Sequence, residues 1–278
     1  MNFLNSVKKI SVSILAIAAL TTTTSFTKVQ EDPKSILTKK PFTVVIDPGH
    51  GGAALGAVGA KSREKDIVLD VSIKLKKELE DKYGVHVILT RSTDVDVPFR
   101  TRSEIANKNH ADLFLSIHAN SANSERRRNP HVTGTETLVL GFHRMNEQDV
   151  AIRENADLLL EDNYEENNSD LIGFDPKDPS SYIVFKVMKR QYRDRSVRFA
   201  SLIQHEYVAS NRGNRGVKEQ GLAVLARASM PAVLTEIGFI SSPTEEEYML
   251  SEEGQSEIVK NLADAIKNYK AGLEKPAN

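Results

Sequence analysis

From Pro41 onward the chain alternates short apolar runs with amphipathic stretches. The runs Thr43–Asp47, Val85–Thr90, Asp112–Ile117, Glu136–Leu140, Ala223–Leu225 and Ala232–Thr235 read as strands. Several are continuously apolar, as expected of strands covered on both faces. Between them, Glu64–Lys82 places Ile67, Val68, Val71, Leu75 and Leu79 on one helical stripe. Pro98–Asn109 reads as a shorter helix with proline in its first turn. Ile258, Leu262, Ala265, Ile266 and Tyr269 mark a C-terminal helix face, and Thr244 with Glu247 matches a capping box upstream. This alternation predicts an α/β fold: one domain, residues 41–274, whose mixed, mostly parallel central sheet is flanked by helices.

The stretch 141–195 breaks that rhythm. Met145–Asp162 has helical spacing, Asn163–Ser169 is acidic and polar, and Asp175–Ser181 carries two prolines. After Ser180 a helical pattern free of glycine and proline runs to Arg212, long for a compact domain. A helical insertion is predicted here. At the other end, Lys8 and Lys9, the apolar run Ile10–Leu20 and the polar Thr21–Ser25 have the layout of a secretory signal peptide, residues 1–27. No tidy cleavage site precedes Lys28, and residues 28–40 read as a polar linker. The apolar run is too short for a permanent membrane anchor. An exported chain is expected: periplasmic, or extracellular where the cell has no outer membrane.

Composition narrows the chemistry. The 278 residues contain no cysteine, which excludes a disulfide framework, a thiolate metal site, a cysteine nucleophile and a lipidated N-terminal cysteine. A net charge of −1 argues against non-specific nucleic-acid binding. Reactive groups must come from histidine, carboxylates, hydroxyls and amides.

Four motifs concentrate such groups. In VVIDPGHGG, Val44 to Gly52, an apolar strand runs into a glycine-rich turn bearing Asp47 and His50. In SREKDIVLD, Glu64 opens a helix; in LFLSIHAN, His118 stands just past a buried strand. Two histidines and a carboxylate with water in the fourth position make a catalytic zinc arrangement, provided the fold brings them together. Glu64 also suits the plainer role of a first-turn glutamate favoured by the helix dipole. In MPAVLTEIGFISSPTEEE, Glu236 ends an apolar strand, where a carboxylate is costly to bury. It can serve as general base, or cap a backbone group, or pair with an arginine. Asp47 is placed as a hydrogen-bond acceptor bracing His50 from behind. Arg102 reads as a surface or ion-pair residue.

Together, DPGHGG, REKD, SIHAN and VLTEIGFISSPTEEE resemble the zinc-dependent N-acetylmuramoyl-L-alanine amidases of the type that splits septal peptidoglycan. Leu89-Thr90-Arg91, Arg102 with Ile105-Ala106-Asn107, Ala111-Asp112-Leu113 and Gly221–Leu225 also fit, so the resemblance spans about residues 42 to 271. It implies zinc on His50, Glu64 and His118, with Glu236 as the catalytic glutamate. The implied reaction is hydrolysis of the amide between N-acetylmuramic acid and L-alanine, in wall remodelling or daughter-cell separation. In some members a helical insertion covers the zinc, a glutamate fills the open position, and a partner protein displaces it. Here Glu154, Glu161, Glu165 and Glu166 are candidates that spacing does not separate; a solvated acidic face is the alternative. Peptidoglycan and an activator protein that displaces the insertion are the implied partners. A zinc carboxypeptidase acting on stem peptides would use similar ligands.

Overall fold

The structure is a computed structural model, and it describes residues 40–122, 131–141, 149–160 and 179–274. The predicted signal peptide and linker fall outside the described residues, apart from Lys40, as do Glu161, Glu165 and Glu166.

Six strands form one sheet: β1 (Thr43–Pro48), β2 (His86–Leu89), β3 (Leu113–Asn120), β4 (Thr135–Leu140), β5 (Asn214–Gln220) and β6 (Ala232–Phe239). Their order is β2-β1-β3-β6-β4-β5. All neighbours are parallel except β4 and β6. The helices are α1 (Glu64–Tyr83), α2 (Phe99–Lys108), α3 (Asp149–Glu154), α4 (Pro179–Ala209), α5 (Ala223–Ala226), α6 (Pro243–Leu250) and α7 (Glu252–Glu274). A 3-10 helix, Asn155–Leu160, continues α3.

Strand alternation divides the core in two. Val44, Ile46, Leu113, Leu115, Ile117 and Val233 face α1, α4 and α7, while Val45, Phe114, Leu138 and Leu234 face α2, α3 and α5. Both faces are covered, so the central strands bury apolar side chains on both sides. In α4, Ser196, Phe199, Ala200, Ile203, Gln204 and Tyr207 are all buried at helical spacing, so this half of the helix belongs to the core. Asn211, with φ of 57°, turns the chain out just past its end.

Three expectations are corrected. Ala223–Leu225 is not a strand but the short helix α5, its apolar side chains packed under the sheet. The sixth strand is instead β5, NRGVKEQ, a polar edge strand without an apolar run to announce it. Thr244 is not a helix cap: α6 starts at Pro243 after Ser242. Among the described residues, no helix is long and apolar enough to cross a membrane.

Candidate metal and hydrolytic site

The predicted site residues meet at one end of the sheet. His50 follows β1 in a turn where its own φ is 58°, a left-handed conformation uncommon outside glycine. Two buried arginines hold that turn. Arg91 donates from Nε to Pro48 O at 3.0 Å, and from Nη2 to Gly49 O and Lys65 O at 2.8 and 2.7 Å. Arg102 donates from Nη1 to Pro48 O at 2.9 Å and from Nη2 to His50 O at 2.8 Å. Arg102 is thus an ion-pair residue and not a surface one: its Nη1 also lies 2.8 Å from Asp47 Oδ1.

Glu64 opens α1 within reach of backbone amides. Its Oε2 accepts from Ala57 N at 2.7 Å and its Oε1 from Ala119 N at 2.8 Å. The loop before it is pinned from α6, where Glu246 accepts from Ala60 N, Lys61 N and Ser62 Oγ at 3.0, 2.7 and 2.7 Å. His118 and Glu236 lie inside β3 and β6, not at their ends, and are paired in register beside a bulge. The strands extend further than their apolar runs because their backbone pairing continues to Asn120 and Phe239, and both side chains are buried.

His50, Glu64, His118 and Glu154 converge, each offering one ligand atom within 4.8 Å of the others. His50 Nε2 is 3.1 Å from Glu64 Oε1 and 3.2 Å from Glu154 Oε2. His118 Nδ1 is 3.0 Å from Glu64 Oε1 and 2.9 Å from Glu154 Oε2. Glycines make the space. A Cβ on Gly49 would stand 2.5 Å from the His118 ring, and one on Gly56 2.5 Å from His50 Cδ2 and 2.6 Å from Glu64 Oε2.

Two imidazole nitrogens and two carboxylate oxygens are a donor set suited to zinc. His50 Nε2 and Glu154 Oε2 are buried without a hydrogen bond, as befits atoms directed at a common ion.

The four groups also pair with each other. Burial would lower the His50 imidazole, but Glu64, Asp157 and Glu154 hold it well above its usual value. Burial opposes charging of His118 too, yet Glu154 and Glu64 raise it to about 9. Burial and the Glu154 charge work against ionised Glu64, and the two histidines still bring it down to about 2. Glu236 differs: burial and the nearby Glu154 charge push it well above the carboxylate range, against the pull of Arg153. A carboxyl group of that kind is suited to proton transfer.

Sequence reasoning missed two residues of α3 and its 3-10 extension. Arg153 binds Glu154 Oε1 at 2.7 Å and Glu236 Oε1 at 3.2 Å. Asp157 Oδ2 lies 2.5 Å from His50 Nδ1. Asp47 therefore does not brace the His50 ring: Thr90 Oγ1, Ser116 Oγ and Arg102 occupy its carboxylate. Asp47 reaches His50 only through Arg102 and the main chain. Arg153 and Asp157 carry no motif, since only folding of the segment 149–160 over the sheet brings them near the histidines.

The chain is similar to known proteins over most of its length. Residues 44–268 match the family model described as N-acetylmuramoyl-L-alanine amidase (Amidase_3). The chain is 31% identical over 235 residues to the N-acetylmuramoyl-L-alanine amidase AmiC of Escherichia coli O6:H1, covering 83% of this chain and 53% of AmiC. It is 29% identical to AmiA of Escherichia coli K12 over 243 residues, 85% of this chain and 79% of AmiA. The solved catalytic domain of CwlV, an N-acetylmuramoyl-L-alanine amidase from Bacillus (Paenibacillus) polymyxa var. colistinus, superposes with a TM-score of 0.57 at 27% identity. That superposition covers 82% of this chain and 98% of the CwlV domain. The chain spans about half the length of AmiC. From the sheet, the converging motifs and a family match across nearly the whole described domain, the chain belongs to the N-acetylmuramoyl-L-alanine amidase family.

Proposed function

We propose that this chain is a zinc hydrolase that cleaves the amide between N-acetylmuramic acid and L-alanine of peptidoglycan, in wall remodelling or daughter-cell separation. The observation that carries the reading is the convergence of His50, Glu64 and His118 on one point, in a chain of this family with Glu236 beside His118 in register. His50, Glu64 and His118 are the proposed zinc ligands. Bound there, zinc supplies Lewis-acid polarisation to the substrate carbonyl and the attacking water. Glu236 Oε2, buried and without a hydrogen bond, accepts the water proton as the new C–O bond forms. The same oxygen then delivers the proton to the L-alanine nitrogen as the C–N bond breaks. An amide is a poor electrophile with a poor leaving group, so both transfers are needed.

The segment 149–160 closes this site. Glu154 would add its carboxylate to the three proposed ligands and so exclude substrate, and Arg153 ties up Glu236. In this reading the insertion is autoinhibitory, with Glu154 as the blocking acid, and an activator protein displaces it. Export to the periplasm, or to the exterior of a cell without an outer membrane, is supported by the pattern of residues 1–27.

Zinc analysis of the purified chain, with product analysis of digested peptidoglycan, tests the proposal. Bound zinc and release of intact stem peptides from glycan support it. Shortened stem peptides still attached to glycan would instead establish a carboxypeptidase.

A further inference from the structure

The supports of the three proposed zinc ligands come from different parts of the chain. Glu64 is held by the amides of Ala57 and Ala119, and the His118 ring packs on Gly49. These belong to the sheet and its loops. His50 has its backbone held by Arg102, and its ring sits edge-on to His118 at 4.8 Å between centroids. Its Nδ1 meets Asp157 Oδ2 at 2.5 Å, and Asp157 belongs to the segment that covers the site. An imidazole that donates Nδ1–H to a carboxylate presents the Nε2 lone pair on the opposite side. In His50 that side is where Glu64 and Glu154 lie.

The segment is fastened at several points. Ala151 N donates to Gln220 Oε1 at 3.1 Å, Asn155 Nδ2 to Gly221 O at 2.9 Å, and Ala223 N to Asn155 Oδ1 at 2.9 Å. Asp157 follows Glu154 by three residues, so about one turn separates the carboxylate in the cluster from the one behind His50.

We infer that Asp157 is a positioning residue for His50, so that the covering segment retains the metal as well as blocking it. The inference rests on the zinc site proposed above. Moving the segment aside to admit substrate withdraws Glu154 and the Asp157 support together, so the open enzyme holds its metal less tightly than the closed one. Linkage requires the reciprocal effect: bound metal favours the closed segment.

The test is zinc release from the full chain to a chromophoric chelator, compared for wild type, Asp157→Ala, Asp157→Asn and Glu154→Gln. Asp157→Ala is expected to weaken retention by about 10-fold or more, the scale of such outer partners. Asp157→Asn keeps the fold and an acceptor oxygen and is expected to recover part of the loss. In a Glu154→Gln background, Asp157→Ala must still weaken retention, because its action runs through His50. Equal release from wild type and both Asp157 variants overturns the inference. So does loss of the Asp157 effect in the Glu154→Gln background, which would mean that Asp157 merely holds the segment down. A wild-type chain that takes up no zinc refutes the proposed metal site, and this inference with it.

Discussion

Arg153 Nη2 lies 3.2 Å from Glu236 Oε1 and 2.7 Å from Glu154 Oε1, so one guanidinium spans the proposed base and the carboxylate in the metal cluster. A charged hydrogen bond of this kind is worth about 1.5–3 kcal/mol. If it helps hold the segment closed, Arg153→Ala shifts the closed-to-open balance by about 10- to 100-fold. The expected outcome is faster basal muropeptide release from purified peptidoglycan. Release at the wild-type rate or below, from a folded and zinc-loaded variant, would count against closure by this residue.

Glu236 is completely buried and its carboxyl is pushed upward by burial and by Glu154. Glu236→Gln preserves its shape and removes proton transfer. Amidase activity should fall by about 10²- to 10⁴-fold. Zinc content should remain that of the wild type, because Glu236 is not among the converging ligand atoms. Full activity in this variant would remove Glu236 from the mechanism.

Gly49 matters for what stands next to it. A Cβ there would lie 2.5 Å from His118 Cε1 and Nε2, closer than the buried ring tolerates. Gly49→Ala is expected to turn His118 away from the cluster and weaken zinc retention in a chain that still folds. Metal stoichiometry after dialysis against a weak chelator reads this directly.

Asp47 and Arg102 form a buried pair beneath the metal loop. Burial alone would raise the Asp47 carboxyl, but Arg102 and the hydroxyls of Thr90 and Ser116 bring it below the usual range. Because its folded value is depressed, its contribution to stability is complete above the ordinary carboxylate pKa and is lost as pH falls through the folded one. Asp47→Asn leaves the buried guanidinium without its counter-charge, at a cost of about 3–5 kcal/mol. Chemical denaturation across acid pH should show the wild type converging on the variant as the pH drops.

Much of this molecule is legible in one dimension. Five of the six strands appear as apolar runs because they are covered on two faces, and α1 and α7 appear as stripes because only one face of each is buried. His50, His118 and Glu236 stand out because each interrupts an apolar or glycine-rich pattern with a group that is costly to bury, whereas Glu64, in the polar run SREKD, is marked only by opening a helix. The edge strand β5 is hidden, since a polar strand at the rim pairs through its backbone and needs no apolar signature.

Tertiary structure decided the rest. Sequence alone determined that any metal must rest on imidazole and carboxylate, and it nominated four acids between Glu154 and Glu166 to cover the site. Only the fold placed Glu154 against both histidines, Arg153 on Glu236 and Asp157 behind His50. It also turned Arg102 from a surface or ion-pair residue into the clamp on the His50 main chain. The physical reason is range. Burial patterns and turn chemistry are local and leave a periodic trace, whereas a contact across more than a hundred residues, as between His50 and Asp157, depends on how the covering segment packs over the sheet.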